Sequence, residues 1–145
     1  MTPSDESTTG FSDEERAAMK DRAKELRAES KRGKKNTEPE VLDTIAGMPE
    51  ADAVLASRFH ELVRENAPEL MPKLWYGQPA YARDGKVICF FQAASKFKTR
   101  YSTIGFSEDA SLDDGTLWPT AYGITAFTPA HEKTIAGLIR KAVGQ

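Results

Sequence analysis

The chain has 145 residues, a length that fits one domain burying roughly 68–70% of its unfolded surface in a single core. Twenty Lys and Arg stand against 22 Asp and Glu, a formal net charge of -2, which excludes a generally basic nucleic-acid coat and a highly charged unstructured chain. No apolar run approaches the ~20 residues of a membrane span and the polar, acidic start does not read as a secretory leader, so a cytoplasmic location is expected.

Residues 1–10, MTPSDESTTG, carry no large apolar side chain and read as a mobile tip. Ser12 followed by Glu15 is a capping box opening a helix. The charges up to residue 15 are all acidic, whereas Lys20 to Lys35 holds eight bases against three acids, a distribution that suits the helix dipole. The apolar stripe of this helix is thin, Met19, Ala23 and Leu26, and reads as a face that docks weakly or seeks a partner. The basic end, Lys31, Arg32, Lys34 and Lys35, reads as a phosphate contact or as a solvated helix end. Residues 1–37 are therefore taken as a tip and charged helical extension, and 38–145 as the body, which holds every aromatic except Phe11.

In the body, Glu38 to Met48 reads as a short helix. A longer one follows Pro49, with Ala51, Val54, Leu55, Phe59, Leu62 and Val63 at spacings of three and four. A broken turn with Pro72 leads to Trp75, Tyr76 and Gly77. Two strands, Ala80 to Arg83 and Lys86 to Ala93, flank Asp84-Gly85, a pair favoured in type I′ hairpins. The second strand is apolar on both faces and so central. A third strand is expected over Phe97 to Gly105 and a fourth within Thr116 to Phe127. Thr128-Pro129 then caps a last helix that buries Ile135, Leu138, Ile139, Ala142 and Val143. The expected fold is α+β, a two-layer sandwich with an antiparallel sheet of four to five strands, plus the N-terminal charged helix.

Alternation along the third strand would put Lys96, Lys98 and Arg100 on one side. The row reads either as a seat for an anionic or carboxylate ligand or as a charge-protected edge strand. Trp75, Tyr76 and Gln78 read as a pocket rim or as a plug between helix and sheet. Glu108, Asp109, Asp113 and Asp114 are the weak candidates for a hard cation, read mainly as a solvated turn, since their spacing is not that of an EF-hand. His60, placed toward the polar side of its helix, and His131 have no second ligand at metal spacing, and Cys89 reads as an inert core thiol. Phosphate-loop, dinucleotide, nucleophile-elbow and zinc-protease patterns are all absent from the sequence. The residues thus describe a non-enzymatic binding domain for a small anion or a partner. Docking of a protein or nucleic acid by the front helix is an alternative reading, although nucleic acid is not the expected partner.

From Leu62 to Val143, the strings NAPELMPKLWYGQPAY, DGKVICFF and DDGTLWPTAYGI resemble the YdhG-like family of bacterial domains of unknown function, and the helix FSDEERAAMKDRAKELRAESKRGKK looks like the charged extension of its actinobacterial members. The resemblance implies a small α+β domain. Because some relatives are described as iron chaperones, iron handling is a further alternative reading; no family ligand motif maps onto this sequence, and its own acidic candidates are the 108–114 loop and the acidic front at residues 13–15. No cofactor is implied by the residues themselves, and iron enters by resemblance only.

Overall fold

The computed structural model describes residues 12–32 and 37–145. The expected mobile tip and the side chains of Lys31, Arg32, Lys34 and Lys35 lie outside the described residues. In chain order the elements are α1 (Asp13–Arg32), α2 (Glu38–Ala46), α3 (Glu50–Asn66), β1 (Met71–Trp75), β2 (Gln78–Arg83), β3 (Lys86–Gln92), the single turn α4 (Ala94–Phe97), β4 (Ser102–Phe106), β5 (Ala121–Ile124) and α5 (Pro129–Ala142). The five strands form one antiparallel meander in the order β1-β2-β3-β4-β5, so the doubly apolar β3 is central. The α+β class with an N-terminal helix is as expected. No helix among the described residues is long and apolar enough to cross a membrane.

Strand register divides the sheet into two faces. Tyr81 pairs with Cys89, Cys89 with Phe106, and Phe91 with Ile104, and these side chains join Phe59, Leu62 and Val63 of α3 and Ile135 and Ile139 of α5 in one core. Phe59 meets Tyr81 edge-on at 5.6 Å and Phe91 at 6.4 Å. The opposite face carries the row Ala80, Phe90, Gly105 and Ala121. Phe90 lies over Gly105 so closely that a Cβ there would sit 2.2 Å from its ring, and an aromatic ring over glycine restores the packing the missing side chain leaves out.

Three sequence expectations are corrected. Met71–Trp75 is a strand, not a broken turn: as β1 it is the sheet edge, where Pro72, lacking an N–H, is tolerated. Phe97 to Gly105 is not one strand, for β4 begins only at Ser102. Ala94–Phe97 form α4 instead, because the Ser102 hydroxyl accepts from the Ala94 amide at 3.0 Å and the Asp52 carboxylate from the Ser95 amide at 3.2 Å. These side-chain caps start a helical turn, which Lys98 ends in the left-handed conformation (φ 54). His60 is buried rather than on a polar face, since α2 covers that side of α3: its Nδ1 lies 2.9 Å from the Tyr81 hydroxyl and its Nε2 2.9 Å from Glu38.

Candidate functional site

Trp75, Tyr76 and Gln78, close together in sequence, meet the distant Lys96 at one end of the sheet. Tyr76 and Gly77 are the two-residue connection between β1 and β2, and both have positive φ, 54 and 74. Such a turn leaves its own two amides outside the ladder and aimed outward, a small anion-binding concavity. Both amides are used. Tyr76 N donates to Glu25 Oε1 at 2.9 Å and Gly77 N donates to Glu25 Oε2 at 2.8 Å. A carboxylate from α1, about fifty residues upstream, is thus gripped through both oxygens.

Gly77 serves the site twice. It takes the left-handed conformation without strain, and its missing side chain leaves room for an ion pair: a Cβ there would lie 2.1 Å from Lys96 Nζ and 2.4 Å from Asp21 Oδ2. Those two atoms are 2.7 Å apart. Lys96 is presented by α4, and α4 is held by three groups from other elements. Asp52 and Ser102 cap its start, and the buried Gln78 side chain accepts from the Ala93 amide at 2.9 Å while donating to Gly77 O at 3.2 Å. Gln78 therefore ties the anion-binding turn to the lysine-bearing turn and has a positioning role. Trp75 forms the wall beside them, its ring 5.0 Å from Tyr76 and 5.2 Å from Phe90.

One further contact extends the site along α1. Lys98 Nζ lies 2.7 Å from Glu14 Oε1, so Glu14, Asp21 and Glu25 all face the body. The apolar stripe Met19, Ala23 and Leu26 is not what docks on the body: Met19 is 40% and Leu26 50% exposed, and Ala23 is exposed as well. Ala18, between Glu14 and Asp21 on the inner face, is 4% exposed. The acidic stripe docks because the receiving surface offers amides and ammonium groups instead of an apolar groove.

Electrostatics within the stripe are uneven. The Lys98 hydrogen bond is the main cause holding the Glu14 carboxyl below its ordinary value. Burial pushes the Glu25 carboxyl up, against the lowering effect of the Gly77 and Tyr76 amides and of Arg22. Arg22 Nη1, 3.6 Å from Glu25, is itself buried without a hydrogen-bond partner. Glu25 is therefore seated with part of its desolvation uncompensated.

The remaining candidates do not join this site. Arg100 leaves the expected basic row and stacks on Tyr101, 5.2 Å from the ring centroid; that ring covers Gly123 of the edge strand β5. Glu108, Asp109, Asp113 and Asp114 are exposed, with Lys86 4.0 Å from Asp109. Among the described residues, no group of three or more His, Cys, Asp or Glu side chains is placed to hold a metal ion. Cys89 is buried, and burial pushes its thiol well up. His131 is used in capping α5, where its amide donates to Thr128 Oγ1 at 3.1 Å. A wide groove of about 980 Å³ between α3 and the start of α5, and a smaller one of about 330 Å³ beside β5, contain none of the residues of the turn site.

The structure brings together Trp75, Tyr76, Gln78, Lys96 and Lys98 of the residues the sequence singles out, whereas Asp21 and Glu25 are not singled out there, and Glu14 is named only within the acidic front at residues 13–15. A signal for the three carboxylates was present: positions 14, 21 and 25 are seven and four apart, a spacing that aligns them on one helix face. No protein-family model matches the chain, and comparison with the curated proteins and with the solved structures gives no match.

Proposed function

We propose that the body is a non-enzymatic binding domain for carboxylate-bearing ligands, with the Tyr76 and Gly77 amides as the anion seat, Lys96 as the adjoining charge and Trp75 as the apolar wall. The observation that carries this reading is the two-pronged hold on Glu25 by adjacent amides of a tight turn. A surface ion pair forms wherever long side chains happen to meet, but two backbone donors in left-handed geometry, backed by a glycine whose missing side chain accommodates a lysine, form a shaped acceptor for an anion. In the intact chain that seat is filled by α1.

The proposed setting is cytoplasmic, and the family proposed from the sequence strings is the YdhG-like one. The test uses the full chain carrying Glu25→Ala, isotopically labelled and titrated with glutarate and, separately, inorganic phosphate. Saturable shifts of the Tyr76 and Gly77 amides are expected with glutarate, together with weaker binding to the wild-type chain, whose seat is occupied. Amides 76 and 77 that stay unmoved in the variant would refute the proposal.

A further inference from the structure

Building on the carboxylate-site proposal, we infer that the ligand class of this surface is an acidic α-helix from a protein partner, which binds by taking the place of α1. The surface has three anchor points and not one. Lys98 takes Glu14, Lys96 takes Asp21, and the turn amides take Glu25. On a helix these positions, i, i+7 and i+11, fall within about 40° of one another and extend over about 16 Å. A small carboxylate satisfies one anchor, whereas a helix with this spacing satisfies all three.

The fourth inward position is part of the same pattern. Ala18, at i+4, is 4% exposed, so a small residue there lets the helix backbone approach closely enough for the short Asp21 side chain to reach Lys96. The pattern read by the surface is thus acid, three residues, alanine, two residues, acid, three residues, acid. It is also stiffly presented, because Asp52 and Gln78 fix the turns that bear the receiving groups. The resident helix is held in a way that permits exchange. Among its described residues only Ala18 is fully buried, the side chains of Arg22 and Glu25 are largely covered, and the apolar Met19 and Leu26 stay 40% and 50% exposed. The two lysine ion pairs are only partly covered, weak and screened by salt, so a partner helix with better anchors displaces α1 in spite of the advantage that the tether gives the resident helix.

The experiment uses a fluorescent peptide of residues 12–32 as the probe. It is titrated at low salt into the wild-type full chain and into the full chain carrying Glu14→Gln, Asp21→Asn and Glu25→Gln. Saturable binding to the triple variant is expected, at least tenfold weaker binding to the wild type, and loss of binding when Lys96→Glu is added to the triple variant. A scrambled peptide of the same composition is expected not to bind. Equal binding of the scrambled peptide, or no binding of the native one, overturns the inference. Should the triple variant fail to fold, Glu25→Gln alone replaces it, with the same expected order. If glutarate moves the Tyr76 and Gly77 amides but the peptide does not bind, the helix inference fails and the carboxylate site stands; if neither probe binds, both fail.

Discussion

α3 and α5 press Phe59, Leu62, Val63, Ile135 and Ile139 against the sheet, each no more than 3% exposed. On the same molecule α1 meets the body through three carboxylates and one buried alanine. The first contact is governed by apolar area and close packing, whose strength changes little with ionic strength. The second depends on charge and on two backbone amides, and responds to salt, to pH and to any competing anion. One contact makes the fold and the other leaves a surface available for exchange.

The comparison is broken most severely from the core side. Phe59→Ala removes a fully buried ring that packs on Tyr81 and Phe91, and a loss of about 3–5 kcal/mol in urea unfolding is expected. Asp52→Ala comes next. It strips the cap from α4 and strands the Ser95 amide in partly buried surroundings, so a loss of about 1–3 kcal/mol is expected. Lys96 should lose its fixed position too, read as weaker α1 docking by amide shifts along residues 13–27.

Glu25→Ala should lower global stability by no more than about 1 kcal/mol, because the bonds lost are at the edge of the molecule, yet release the inner face of α1. The paired control is Leu26→Ser on the outward face, expected within about 0.5 kcal/mol of wild type and with docking unchanged. A Leu26→Ser chain that releases α1 while Glu25→Ala does not would reverse the assignment of inner and outer faces.

Acid gives the smallest and most selective effect. Glu25, whose carboxyl is pushed up by burial, takes up a proton more readily docked than free, so its contribution to docking grows as the pH falls toward 4.5. Glu14, held down by Lys98, contributes above its ordinary value of 4.5 and loses that contribution as the pH falls through its lowered one. Docking of α1, followed by the Lys98 and Glu14 resonances, is expected to persist down to 4.5 and to fall below it.

Much of the fold was legible because local chemistry and tertiary packing agree. The Asp84-Gly85 turn has the positive φ values that the pair suggests, 52 and 81, and Thr128 caps α5 as its sequence implies. Legibility failed where side chains distant in sequence decide the local structure. Lys96, Lys98 and Arg100 alternate like a strand, but Asp52, 43 residues before Ser95, caps a helical turn there. Met19, Ala23 and Leu26 form an apolar stripe on α1, and the face that meets the body was not legible from that stripe because the receiving surface is polar. The Tyr76-Gly77 turn was hidden by Pro72, which argues against the strand preceding it except at a sheet edge.

The central claim is that Glu25 fills an anion seat made by the Tyr76 and Gly77 amides, and hydrogen exchange at those two amides in the intact chain tests it most directly, since neither pairs with another strand. Slow exchange at low salt is expected, accelerated at both amides by ~0.5 M sodium chloride and by Glu25→Ala, with β3 amides unaffected. Exchange at Tyr76 and Gly77 that is the same with and without the Glu25 carboxylate would contradict the account.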